Sequence, residues 1–130
     1  MTLPMIAYVE RPEPQEDWTL PADLAELARE KGTGLVRDLF ADFRSDTTAR
    51  LESVCEALTK GNLTRTRTEA HTIKGSAVQV GAARLARLCK RMEQSAVAGD
   101  MDKTASVFEE METEFARVLQ KMDTLNWTKV

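Results

Sequence analysis

Apolar residues recur along most of this chain at alternating steps of three and four, the spacing that gathers them on one side of an α-helix. Between Thr33 and Lys60 they are Leu35, Val36, Leu39, Phe40, Phe43, Leu51, Val54, Cys55 and Leu58, a single stripe with a gap at Thr47. A second helix is predicted from about Leu63 to Val80, with Leu63, Ala70, Ile73, Ala77 and Val80 on its apolar side. A third runs from about Ala82 to Ala98 and carries Leu85, Leu88, Cys89, Met92 and Ala96. The fourth follows Gly99-Asp100, where Asp100 can cap it, and reaches about Leu125 with Val107, Met111, Phe115, Val118, Leu119 and Met122 facing in. Ahead of these, Thr19-Leu20-Pro21 starts a shorter helix with Pro21 near its first position, Leu24, Leu27 and Ala28 on its apolar face, and Gly32 at its end.

Short connections at Gly61-Asn62, Gly81 and Gly99-Asp100 make consecutive long helices antiparallel. The predicted fold is therefore all-α: an up-down-up-down four-helix bundle with a short additional N-terminal helix, spanning residues 19–130. Residues 1–18 show no sustained period, contain Pro4, Pro12 and Pro14, and read as an extended or mobile arm. A length of 130 residues suits one domain with one core. Only 5% of residues are aromatic, which favours helix over strand.

Charge narrows the partners. A net charge of −3 supplies no global basic field, so nucleic acid is not an expected partner. No apolar run approaches the roughly 20 residues needed to cross a bilayer, and the N-terminus lacks a basic start and an apolar signal core. These features predict a cytoplasmic protein without a membrane partner, and a bundle polar on its outer sides predicts a monomer. Met1 and the short arm favour a stand-alone protein, although a domain cut from a larger kinase could begin the same way. Cys55 and Cys89 both fall on apolar stripes and are expected to be reduced core cysteines. With a single histidine, no His/Cys metal site is expected.

That histidine, His71, lies more than a right angle from the middle of the apolar cluster on its helix. Arg67 and Thr68 stand one turn before it, Lys74 and Gly75 one turn after, with Val78 and Ala82 next. Lys74, at i+3, can approach an anion carried by the imidazole. Gly75 weakens a mid-helix position by about 1 kcal/mol relative to Ala, and so asks for a reason; a missing side chain opens space beside the ring. Counting equally far on either side of the turn at Gly81 sets Met92 or Glu93 level with His71. Met92 belongs to the core stripe, which leaves Glu93 on the flank to accept a hydrogen bond from one ring nitrogen. If that nitrogen is Nδ1, Nε2 remains as nucleophile.

The run Ala70-His71-Thr72-Ile73-Lys74-Gly75-Ser76, then Gly81, then Leu85 through Cys89 to Glu93, closely resembles the signature of histidine-containing phosphotransfer (HPt) domains. The resemblance is sharp over about 25 residues and extends more loosely from about Pro21 to Leu125. It implies that His71 is phosphorylated at Nε2, that Lys74 stabilises the phosphoryl group, that Gly75 leaves room for it or for a partner, and that Glu93 orients the ring. It also implies partners: the receiver domain of a hybrid histidine kinase, or a kinase, as donor, and the aspartate of a response-regulator receiver as acceptor. The receiver, with its Mg²⁺, would supply the catalytic machinery, so that the chain needs no cofactor of its own and is a phosphotransfer intermediate rather than an enzyme. The lack of a Gly-rich phosphate loop or kinase motif agrees. An alternative is a module that docks receivers without passing phosphate; a purely structural bundle would leave Gly75 unexplained.

On the next helix, Lys90 and Ala86 share Glu93's side and are expected, with Arg67, Thr68, Val78 and Ala82, to border a docking surface. Arg84 and Arg91 fall on the opposite flank. Glu109, Glu110, Glu112 and Glu114 read as a solvated outer face.

Overall fold

The computed structural model describes residues 17–130. Within them α1 spans Ala22–Lys31, α2 Gly34–Thr59, α3 Leu63–Gln79, α4 Ala83–Val97 and α5 Met101–Asp123, followed by a 3₁₀ turn at Trp127–Lys129. No strand occurs among the described residues, and none of the helices is long and apolar enough to cross a membrane. The four long helices form the bundle: α3 packs on α2 and α4, α5 on α4, and α5 also meets α2 to close the ring, while α1 lies against α2.

The three turns between the long helices share one construction. At Gly61, Gly81 and Gly99 the backbone enters the left-handed region, with φ of 67°, 73° and 73°. The next N–H then bonds back to Ala57, Ala77 and Ser95, closing each helix with the reverse turn that glycine tolerates best. Asn62 and Asp100, expected at turns, cap the helices that follow: their side chains accept hydrogen bonds from the Arg65 and Lys103 N–H groups, each at 3.0 Å. Pro21 is itself the residue before α1 rather than its first helical position.

The buried stripe of α2 is Val36, Phe40, Phe43, Thr47, Leu51 and Val54. Thr47, expected as a gap, is fully buried and continues the stripe. Leu35 and Cys55, expected in the core, are exposed instead. Each neighbours a fully buried valine, Val36 or Val54, and the 100° step between successive residues carries it off the stripe. Cys89 is buried as expected, and both cysteines are free.

The arm expected over residues 1–18 lies, for residues 1–16, outside the described residues. Its last residue does not behave as an arm. Trp18 is buried, meets Phe40 edge-on at 5.5 Å between ring centroids, and donates its indole N–H to the Val80 carbonyl at 2.8 Å. Pro21 packs on the same turn so closely that a Cβ at Gly81 would overlap its ring. The segment entering α1 thus seals one end of the bundle over the α3–α4 turn.

The acidic face expected on α5 holds a second surprise. Glu114 is only 2% exposed. It accepts hydrogen bonds from Arg84 of α4 at 3.2 Å and from Arg117 at 3.1 Å, and Arg117 reaches Asp17 at 2.8 Å. Glu114 sits one helical turn before Val118 and beside Phe115, on the inward side of α5, where a carboxylate requires cationic partners to be stable.

Candidate functional site

Helix α3 presents His71 outward because Ala70 and Ile73, both fully buried, fix which side faces the core. The imidazole is 73% exposed. Side chains on a helix lean toward its N-terminus, so the ring lies over the turn bearing Arg67 and Thr68, while Lys74 leans back toward the level of His71. The ring borders an open cleft of about 310 Å³ lined by Thr64, Arg67, Thr68, His71, Thr72 and Glu93.

Glu93 arrives from α4, level with His71 as counted from the Gly81 turn. Its carboxylate is mostly buried, with 18% of the side chain exposed. Oε1 lies 3.3 Å from His71 Nδ1 and 2.9 Å from the Lys74 ammonium, and Lys74 donates to Oε2 at 3.2 Å. Neither approach to Oε1 has hydrogen-bond alignment, and this buried oxygen is an acceptor still open to the ring. Lys74, expected to act only once an anion sits on His71, is already paired with Glu93 in the free protein.

Gly75 lies one turn beyond His71 on the exposed side, and a Cβ built there meets nothing within 4 Å. Its own fold therefore does not require glycine at this position, in contrast to Gly81. Cys89, one turn before Glu93, faces the core; burial, with the nearby Glu93 charge, pushes its thiol up to about 12, so it stays protonated and unreactive at neutral pH.

The residues expected to border a docking surface divide. Arg67, Thr68 and Lys90 are exposed, and Val78 is 66% exposed, an unusual setting for valine. Ala86 is half-buried and packs against the core. Ala82 does not belong to any such surface: it is 2% exposed, drawn inward by the closure of the Gly81 turn through its N–H bond to Ala77. Two residues that line the cleft, and one exposed apolar residue on α4, were missed. Thr64 and Thr72 line the cleft, and Val97, 66% exposed, sits one turn beyond Glu93 on the same side of α4. A step of three residues back from Arg67 on α3, or of four residues beyond Glu93 on α4, would have found Thr64 and Val97.

The Hpt domain family model matches residues 38–121, which hold α3, α4 and every polar group of this cleft. The chain belongs to the Hpt domain family. A solved structure agrees over a wider span: histidine-containing phosphotransfer protein B (HptB) from Pseudomonas aeruginosa PAO1 is 30% identical, with a TM-score of 0.73 covering 85% of this chain and 96% of that one. No curated protein matches the sequence. Hpt domains are phosphoryl carriers of phosphorelays rather than catalysts, and they interact with the receiver domains of two-component systems.

Proposed function

We propose that this Hpt domain accepts a phosphoryl group on His71 Nε2 from the aspartyl phosphate of a hybrid-kinase receiver domain and passes it to the aspartate of a response regulator. The observation that carries the reading is the 3.3 Å approach of Nδ1 to the open Oε1 of Glu93, beside an otherwise exposed ring. With Nδ1 protonated toward Glu93, the lone pair on Nε2 attacks phosphorus, the aspartyl P–O bond breaks and the carboxylate leaves. The ring then carries positive charge and keeps its Nδ1 proton, which the Glu93 carboxylate stabilises. Onward transfer is the same step reversed on a second aspartate.

Lys74 has two places to act. In the free protein it neutralises Glu93. When a phosphoryl group arrives, the ammonium can shift toward its oxygens, and Glu93 is released to face the charged ring alone. Mg²⁺ and the remaining catalytic groups belong, in this reading, to the receiver.

The test is transfer itself. Incubation with phosphorylated receiver domains should put an acid-labile, base-stable label on the wild-type chain, and a second receiver should remove it. His71→Gln, with helical circular dichroism unchanged, should take up none. Stable docking of receivers without label on the wild-type chain would favour a binding module and overturn the proposal.

A further inference from the structure

We infer that Arg67 is a phosphoryl-binding residue of this site, a cation that grips the transferred group on the Nε2 side of His71. The inference rests on the reading of His71 as acceptor and adds a residue to it.

A phosphoryl group brings between one and two negative charges near neutral pH, with three acceptor oxygens. The cations of α3 that could meet it are few. Lys74 must surrender Glu93 to do so. Arg65, the next cation along α3, is turned the other way and is bound to Ser53 at 3.0 Å and to Glu56 at 3.7 Å. Arg67 is different: it is exposed, lines the cleft, and makes no ion pair or hydrogen bond among the described residues.

The acids that might have claimed it are already engaged. Glu69, two residues on, pairs with Arg50 of α2 at 3.0 Å, and Glu93 pairs with Lys74. The positive charge of Arg67 is therefore not neutralised within the cleft. Its position follows from helix geometry: the imidazole leans toward the N-terminus, over the turn that carries Arg67, while Glu93 Oε1 approaches Nδ1 to 3.3 Å. The planar guanidinium can bind two phosphoryl oxygens at once, and the hydroxyl of Thr64, two turns before His71, lines the same cleft.

The site then has two halves. Glu93 and Lys74 set the ring from the Nδ1 side. Arg67 meets the charge spread over the transferring oxygens, as the Nε2–P bond forms and the donor's bond to phosphorus breaks.

Phosphoramidate separates this role from docking, because it is a small donor with no protein surface. Its P–N bond breaks as Nε2 takes the phosphoryl group, and ammonia leaves. Rates of His71 labelling by phosphoramidate, and the lifetime of the resulting phosphohistidine, would be compared for wild type, Arg67→Ala and Arg67→Lys. The inference expects labelling about tenfold slower and a shorter-lived phosphohistidine in Arg67→Ala, with Arg67→Lys between the two because a single ammonium lacks the fork. It also expects the difference to shrink as salt is raised. Equal labelling rates in wild type and Arg67→Ala, with slower transfer only from receiver domains, would make Arg67 a docking residue and overturn the inference alone. Absence of phosphoramidate label on His71 in the wild-type chain would overturn both the acceptor reading and this one.

Discussion

Two glycines on α3 and its turn show how one residue type serves two purposes. Gly81 is needed by the fold, since its φ is +73° and Pro21 occupies the space of a Cβ. Gly75 meets no such demand, and alanine there would favour the helix by about 1 kcal/mol. What it keeps clear is the space beside His71 on the outside of the molecule. Gly75→Gln should therefore leave thermal stability unchanged or slightly raised, and slow receiver-dependent transfer by tenfold or more. Wild-type transfer rates in that variant would show that the open position has no bearing on the partner. The two cysteines give a chemical check on burial. Exposed Cys55 should alkylate readily at neutral pH, whereas Cys89 should react only on unfolding, giving one modified thiol per native chain and two per denatured chain. The Cys89 thiol is raised from 9.0 to about 12, so the folded state holds its proton more tightly than the unfolded state does. Its contribution to stability is complete below about pH 9 and is lost as pH rises from there toward 12. A second thiol modified in the native protein at pH 7 would contradict the burial of α4.

At the scale of the element, the long helices and their turns were legible because period and glycine spacing are local signals. The boundaries fell within a residue or two of those seen. That Glu93 lies level with His71 was legible as well, because a short turn fixes the register of two antiparallel helices; the expected hydrogen bond is not formed, Oε1 standing 3.3 Å from Nδ1 without alignment. What escaped was anything decided by tertiary packing. Thr47 looks polar in sequence, yet it fills the inward position between Phe43 and Leu51 and is fully buried. Its hydroxyl has no hydrogen-bond partner among the described residues. A buried hydroxyl left unpaired typically costs 1–3 kcal/mol. Thr47→Val keeps the branched shape and removes the hydroxyl, so it should raise stability by about 1 kcal/mol, seen as a melting temperature higher by a few degrees. A lower melting temperature would contradict the packing described for α2.

Across the whole molecule, polar contacts join segments far apart in sequence, and none of these could be read from periodicity. Trp18 looks like part of a proline-rich arm until the Val80 carbonyl and Phe40 are placed beside it. Glu114 looks like one of four surface acids until Arg84 and Arg117 close around it. Removing one member of a buried ionic cluster strands the others, so Glu114→Ala should destabilise the fold by about 3 kcal/mol, while the paired change Arg84→Met with Glu114→Leu should recover most of that loss. Equal stability of Glu114→Ala and wild type in urea denaturation would place the carboxylate in solvent. This frame lies at the end of the bundle sealed by Trp18 and Pro21. From the same turn at Gly81, the two helices carrying His71 and Glu93 run away side by side, so the rigidity of that end sets their register. The central claim is that this register leaves Nε2 of His71 as the nucleophile. Heteronuclear NMR of the phosphorylated, ¹⁵N-labelled protein tests it most directly, because the chain has a single histidine. The account predicts a phosphorus coupling to Nε2, with the proton retained on Nδ1; phosphorus coupled to Nδ1, or a phosphorylated chain with an unmodified imidazole, would contradict it.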